Sequence, residues 1–107
     1  MMRRLAVFVN NQLAGILSEK ELGRGYQFKY DDSYLNSDYN PISLTLPKRA
    51  EPFESEYLFP FFSNLLPEGS LRKVICRSSR TDEKDLFGML MATEGTDMIG
   101  AINVKKI

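Results

Sequence analysis

Histidine is absent from the chain, and with it go the commonest general base, the commonest zinc ligand and the usual sensor of near-neutral pH. Cysteine occurs once, at Cys76, so no internal disulfide can close and a reducing compartment is indicated. No apolar stretch approaches the roughly 20 residues that span a bilayer. The run Leu5-Ala6-Val7-Phe8-Val9 behind Met1-Met2-Arg3-Arg4 is shorter than a signal-peptide core, and no small-residue cleavage site follows it. Neither sign of charge is in excess: lysine plus arginine number 14, as do aspartate plus glutamate. Direct nucleic-acid binding and polybasic membrane attachment usually need a cationic surplus, so neither is expected. The chain reads as soluble and cytoplasmic.

What is present describes one globular domain over residues 1–107, at 43% hydrophobic, 11% aromatic and 26% charged. The first half has strand character. Leu5 to Val9 is apolar, and Asn10-Asn11 supplies turn residues that tolerate positive φ. Leu13 to Leu17 returns, with Gly15 where a side chain would crowd or a bulge would form. Tyr26, Phe28 and Tyr30 alternate with Gln27 and Lys29, and Ile42, Leu44 and Leu46 alternate with Ser43 and Thr45 between Pro41 and Pro47. Both patterns predict strands with one wet face.

From about Glu54 the period changes. Leu58, Phe61, Phe62 and Leu65 fall at i, i+3, i+4 and i+7 and predict an amphipathic helix, with Glu54 and Glu56 near its positive end and Pro60 obscuring its start. A second helix is expected over Ser70 to about Cys76, and a third from Asp82, with Asp82 capping it. Gly95-Thr96-Asp97 reads as a turn and Ile99 to Val104 as a closing strand. The fold class is therefore α+β: a mainly antiparallel, barrel-like sheet with about three short helices. Asp31-Asp32-Ser33 adds a turn into a short helix containing Tyr34 and Leu35.

No catalytic constellation, metal-ligand set or cofactor motif emerges. Gly23-Arg24-Gly25 lacks the remainder of a phosphate loop and reads as the entry to the Tyr26 strand. Lys29 fits the polar phase of its strand, without the aspartate and metal-binding motifs that a nucleotide-binding lysine needs. The acids at Asp31-Asp32, Glu54, Glu56, Asp82, Glu83 and Asp85 have no calcium-loop spacing, and several suit helix caps. Cys76 has no histidine to activate it and reads as a buried apolar residue. Arg72, Lys73, Arg77 and Arg80 are flanked by Glu68, Asp82, Glu83 and Asp85 and read as a solvated helix face. The segment Tyr57 to Pro67 is the densest in aromatics. Phe59 and Leu66 are expected a quarter-turn from its core stripe, leaving either a thick core or an apolar patch for a protein partner.

Several runs in order resemble the N-terminal subdomain of HipA-type toxin kinases. They are Val7-Phe8-Val9-Asn10, Ala14-Gly15-Ile16-Leu17, Phe28-Lys29-Tyr30-Asp31 with Tyr34-Leu35, and Pro41-Ile42-Ser43-Leu44-Thr45-Leu46-Pro47. Phe61-Phe62-Ser63-Asn64-Leu65-Leu66-Pro67-Glu68-Gly69, Asp85-Leu86-Phe87-Gly88-Met89-Leu90 and Gly95-Thr96-Asp97-Met98-Ile99-Gly100-Ala101 continue the likeness, which spans roughly residues 5 to 104. The kinase core that follows in HipA has no counterpart before Ile107. In this respect the chain is similar to the small HipS subunits of split HipBST systems, where HipT is a separate kinase and HipB a helix-turn-helix DNA-binding protein.

That resemblance implies a non-enzymatic antitoxin, without cofactor or metal, that binds and inhibits a HipT-type kinase toxin. A HipB-type DNA-binding protein is the expected third component and the route to DNA. Phe59, Ser63, Leu66, Pro67, Glu68, Gly69 and Arg72 are the expected partner-binding residues, and Leu66 and Glu68 are expected to be replaceable without unfolding. A non-inhibitory structural subunit, or a piece of a complete HipA-type kinase, is the alternative.

Overall fold

A computed structural model describes residues 2–66, 68–94 and 101–107. Its first three strands form a meander: β1 is Arg3–Val9, β2 Gln12–Glu21 and β3 Arg24–Tyr30. Asn10 and Asn11 join β1 to β2 with φ of 50° and 66°, the conformation a tight hairpin demands and asparagine tolerates. Pairing runs Val7 to Gly15 and then Phe8 to Leu13, so Ala14 is the extra residue of a bulge. Gly15 satisfies both expectations for it. It follows the bulge, and a Cβ there would run into the Lys29 carbonyl oxygen and the Phe28 ring, whose nearest carbons lie 2.7 and 2.9 Å away. Gly15→Ala is expected to cost about 2–3 kcal/mol, read as a lowered urea midpoint, since neither backbone nor core ring can yield freely.

The meander continues through α1, Asp32–Leu35, whose N-cap Asp31 accepts from the Ser33 N–H at 3.1 Å. The segment expected as a strand at 42–46 is a turn instead. Ser43 Oγ accepts from the Thr45 N–H at 3.2 Å, the Leu46 N–H donates to Ser43 O at 3.1 Å, and Leu44 at the tip is 100% exposed. Local hydroxyl bonds outcompete a ladder there. The Tyr30 hydroxyl fixes that turn from the sheet, donating to Leu46 O and accepting from the Ile42 N–H.

The predicted helix from Glu54 also proves different. Phe53–Ser55 is a strand, β4, paired to β3 with Phe28 opposite Phe53. The helix α2 spans only Pro60–Ser63, starting where proline is comfortable, at its first turn. Glu54 is therefore a ladder residue and Glu56 follows the strand, and they are ion-paired to Lys20 and Arg24 at 3.2 Å each. α3 covers Gly69–Ser79, longer than expected, and α4 covers Leu86–Ala92. Asp82 stabilises only a turn, through Lys84 N–H. Asp85 is the true cap of α4, accepting from the Gly88 N–H at 3.1 Å.

β5, Ile102–Lys106, returns to pair with β1, while the turn expected at 95–97 lies outside the described residues. The strand order β4-β3-β2-β1-β5 is antiparallel throughout and leaves β4 and β5 as outer strands. The sheet is open, not a closed barrel: its outer strands β4, only three residues long, and β5 do not pair with each other. The described residues contain four short helices, α1 at the Tyr34-Leu35 position expected for it and three in the second half. Leu5, Val7, Leu17, Phe28 and Tyr30 face a core completed by Phe62, Phe87, Met89 and Leu90. Lys29 lies on the opposite, wet face, as its alternation implied.

Candidate interaction surface

The aromatic segment turns inward. Phe59 precedes α2, its carbonyl accepting from the Phe62 and Ser63 N–H groups, and its ring meets that of Phe62 at 6.3 Å. After α2 the Leu65 and Leu66 N–H groups bond three residues back, to Phe62 O and Ser63 O. This tight winding, not an extended α-helix, swings Leu66 into the core. Phe59 is 8% exposed and Leu66 5%, so neither projects as a partner anchor, and Leu66 is no surface site to be replaced at no cost in stability. Phe61 and Leu65 are half-buried beside Val9, Tyr34, Ile42 and Ile102 along an apolar cleft, while Tyr57 is exposed.

Of the other expected contact residues, Ser63 and Arg72 are half-buried, Glu68 and Gly69 are exposed, and Pro67 lies outside the described residues. Ser63 Oγ donates to Pro60 O at 3.2 Å, and Arg72 is engaged within the fold. Glu68 and Gly69 thus stand at the start of α3. Glu68 makes no side-chain cap, and Gly69 has φ of 65° with open space where a Cβ would be, so its backbone rather than crowding restricts replacement.

α3 itself is the unexpected feature. Cys76 is its only buried residue; Arg72 and Ile75 are half-buried and the rest is exposed. Leu71 and Val74, one turn apart, are 57% and 59% exposed. Lys73, Arg77 and Arg80 form an exposed cationic stripe beside them, at i, i+4 and i+7. The helix ends through Arg80 in the left-handed conformation, with the Thr81 N–H donating to Cys76 O at 2.8 Å. The helical spacing of Leu71 and Val74 was visible in the sequence. Their exposure was not, because it depends on what the remainder of the fold leaves uncovered.

Chemical reactivity is not favoured here. Burial pushes the Cys76 thiol up, and the nearby Glu83 carboxylate reinforces it, so the thiolate that a nucleophile requires is disfavoured. Among the described residues no three cysteine, aspartate or glutamate side chains gather as a metal set, and no helix is long and apolar enough to cross a membrane.

The geometry defines an α+β domain with an open antiparallel sheet and one weakly covered helix, α3. The chain belongs to the HipA N-terminal domain family, which it matches over residues 5–105. It is similar to the solved structure of the N-terminal domain of HipA toxin, with a TM-score of 0.70 and 33% identity, covering 98% of this chain and 92% of that one. An uncharacterized protein of Haemophilus influenzae is 35% identical over 106 residues, covering 99% of this chain and 94% of that protein. The putative kinase Y4mE of Sinorhizobium fredii is 33% identical over 103 residues, covering 95% of this chain but 24% of the kinase.

Proposed function

We propose that this protein is the antitoxin of a tripartite HipBST-type system. It binds a HipT-type serine/threonine kinase toxin in the cytoplasm, inhibits it without catalysing any reaction itself, and joins a complex that a HipB-type protein connects to DNA. The observation that carries this reading is the contrast between two relatives: the same domain occupies 94% of one and only 24% of a putative kinase. A domain that packs beside a kinase in one chain can make the same contacts from a separate chain, once its affinity replaces the effective concentration of the linkage. The balanced charge of 14 against 14 fits DNA association through a partner.

Inhibition is assigned to the segment from Phe59 to Arg72, which restrains the nucleotide-binding lobe. Glu68 and Gly69 are its exposed leading edge, and buried Phe59 and Leu66 support it from beneath. Kinase autophosphorylation measured with and without an equimolar amount of this protein tests the proposal. Suppression of about tenfold or more is expected, and Glu68→Lys is expected to relieve it while leaving the melting curve unchanged. Co-purification at an unchanged phosphorylation rate would instead make the protein a structural subunit, and failure to co-purify would remove the assignment.

A further inference from the structure

We infer that α3 docks against an apolar surface rimmed by carboxylates on the kinase partner, with Leu71 and Val74 entering it and Lys73, Arg77 and Arg80 meeting its acids. The inference rests on the partner-binding reading above and specifies the chemistry of the surface that is met. Two aliphatic side chains one turn apart, each more than half exposed, form an apolar patch on a helix that buries only Cys76. At 11 residues, with no acid in its first turn and no side-chain cap, α3 is also short of what stands alone in water. A partner covering its outer face supplies the missing packing.

Charge selects the occupant. Arg3, Lys20 and Arg24 are ion-paired to carboxylates, whereas no carboxylate lies within ion-pair distance of Lys73, Arg77 or Arg80 among the described residues. The nearby acids are Glu68 before the helix and Asp82 and Glu83 beyond it. Asp82 and Glu83 fold back to share a shallow depression with Lys73 and Arg77 without reaching ion-pair distance, so the stripe keeps its cations unpaired among the described residues. A second copy of the chain fits poorly, because a two-fold α3 pair would set the stripe against itself. Nucleic acid fits poorly too, since the cations border aliphatic side chains on one side and Asp82 and Glu83 on another. An apolar protein surface with acidic margins complements every one of these features.

The decisive measurement is binding of the full chain to the purified kinase, with two double variants, L71S/V74S and K73E/R77E. Each is expected to raise Kd about tenfold or more while the free domain keeps its melting curve, because all four side chains are exposed. For the wild type, added salt should slow association, and K73E/R77E should largely abolish that dependence. Backbone amides of α3 should exchange with deuterium about tenfold more slowly in the complex. A complex indifferent to both double variants overturns the α3 assignment alone. Loss of a homodimer, or of binding to duplex DNA, in place of kinase binding also overturns it. Absence of any complex with the wild-type chain overturns the functional reading, and this assignment with it.

Discussion

Glu19→Ala is expected to cost the domain about 3–5 kcal/mol, the range for removing one partner of a buried ion pair. With total stabilities of about 5–15 kcal/mol, that is a large share of what holds the fold. Glu19 is fully buried on β2, yet every part of its carboxylate is used. Arg3 Nε donates to Oε1 at 2.7 Å and Arg3 Nη2 lies 2.6 Å from the same oxygen. The Tyr26 hydroxyl and the Gly23 N–H donate to Oε2 at 2.9 and 3.1 Å. Arg3 then reaches Asp85 with both terminal nitrogens, at 3.1 and 2.8 Å, and lies over the Phe87 ring. One carboxylate thus links the β2–β3 turn, β1 and the cap of α4. Alanine leaves the buried Tyr26 hydroxyl and one edge of the half-buried Arg3 guanidinium without their acceptor, a cost the lost volume only adds to. Urea unfolding at neutral pH measures the loss, and a change below about 1 kcal/mol would show that water replaces the carboxylate.

Acid should attack the same network. Hydrogen bonding from the Arg3 guanidinium, helped by the Gly88 N–H and opposed by burial, holds the Asp85 carboxyl below its ordinary value of 3.8. A carboxyl depressed in the folded state contributes stability that is present above that ordinary value and lost as pH falls through its folded value. The wild-type stability curve should therefore fall below about pH 5, and Asp85→Asn should flatten that limb while lowering the plateau at neutral pH.

None of this network was legible in the sequence. Glu19 lies beyond the Leu13–Leu17 run in which the sequence shows a strand, and Asp85 is 82 residues from Arg3. Local signals did declare themselves: the Asn10-Asn11 turn, the alternation from Tyr26 to Tyr30, and Asp31 ahead of α1 all act over a few residues. Misreadings arose where two local codes competed or a distant partner decided. Ile42 to Leu46 has strand alternation, but its serine and threonine hydroxyls bond their own backbone. Phe53 to Ser55 precedes a helical stripe, but β3 offers it a ladder. At the candidate surface the sequence showed a helix carrying Leu71 and Val74, with Arg72, Lys73, Arg77 and Arg80 on and just after it. It did not show that most of the aromatic segment before it would turn toward the core, or that Leu71 and Val74 would stay exposed on α3.

That division between core and surface gives the other large effect. Phe62→Ala is expected to cost about 3–5 kcal/mol, the range for emptying a buried phenylalanine site, and to lower the melting temperature by more than about 12 °C. Phe62 is fully buried, and its ring contacts Phe28 at 5.6 Å, Phe61 at 5.1 Å and Phe59 at 6.3 Å. It therefore joins the one-turn helix α2 to the middle of the sheet, and a cavity there lies between groups that cannot collapse onto each other independently. Leu71→Ala on the exposed side of α3 should stay within about 0.5 kcal/mol of the wild type. Thermal melts of the two variants make the comparison direct. The same contrast governs how the partner surface is dissected. On the proposed binding mode, substitutions at Phe59, Phe62 or Leu66 are expected to weaken partner binding by loosening the scaffold, in proportion to lost stability. Substitutions at Glu68, Leu71, Val74 or Arg77 are expected to weaken it in a domain that still melts where the wild type does.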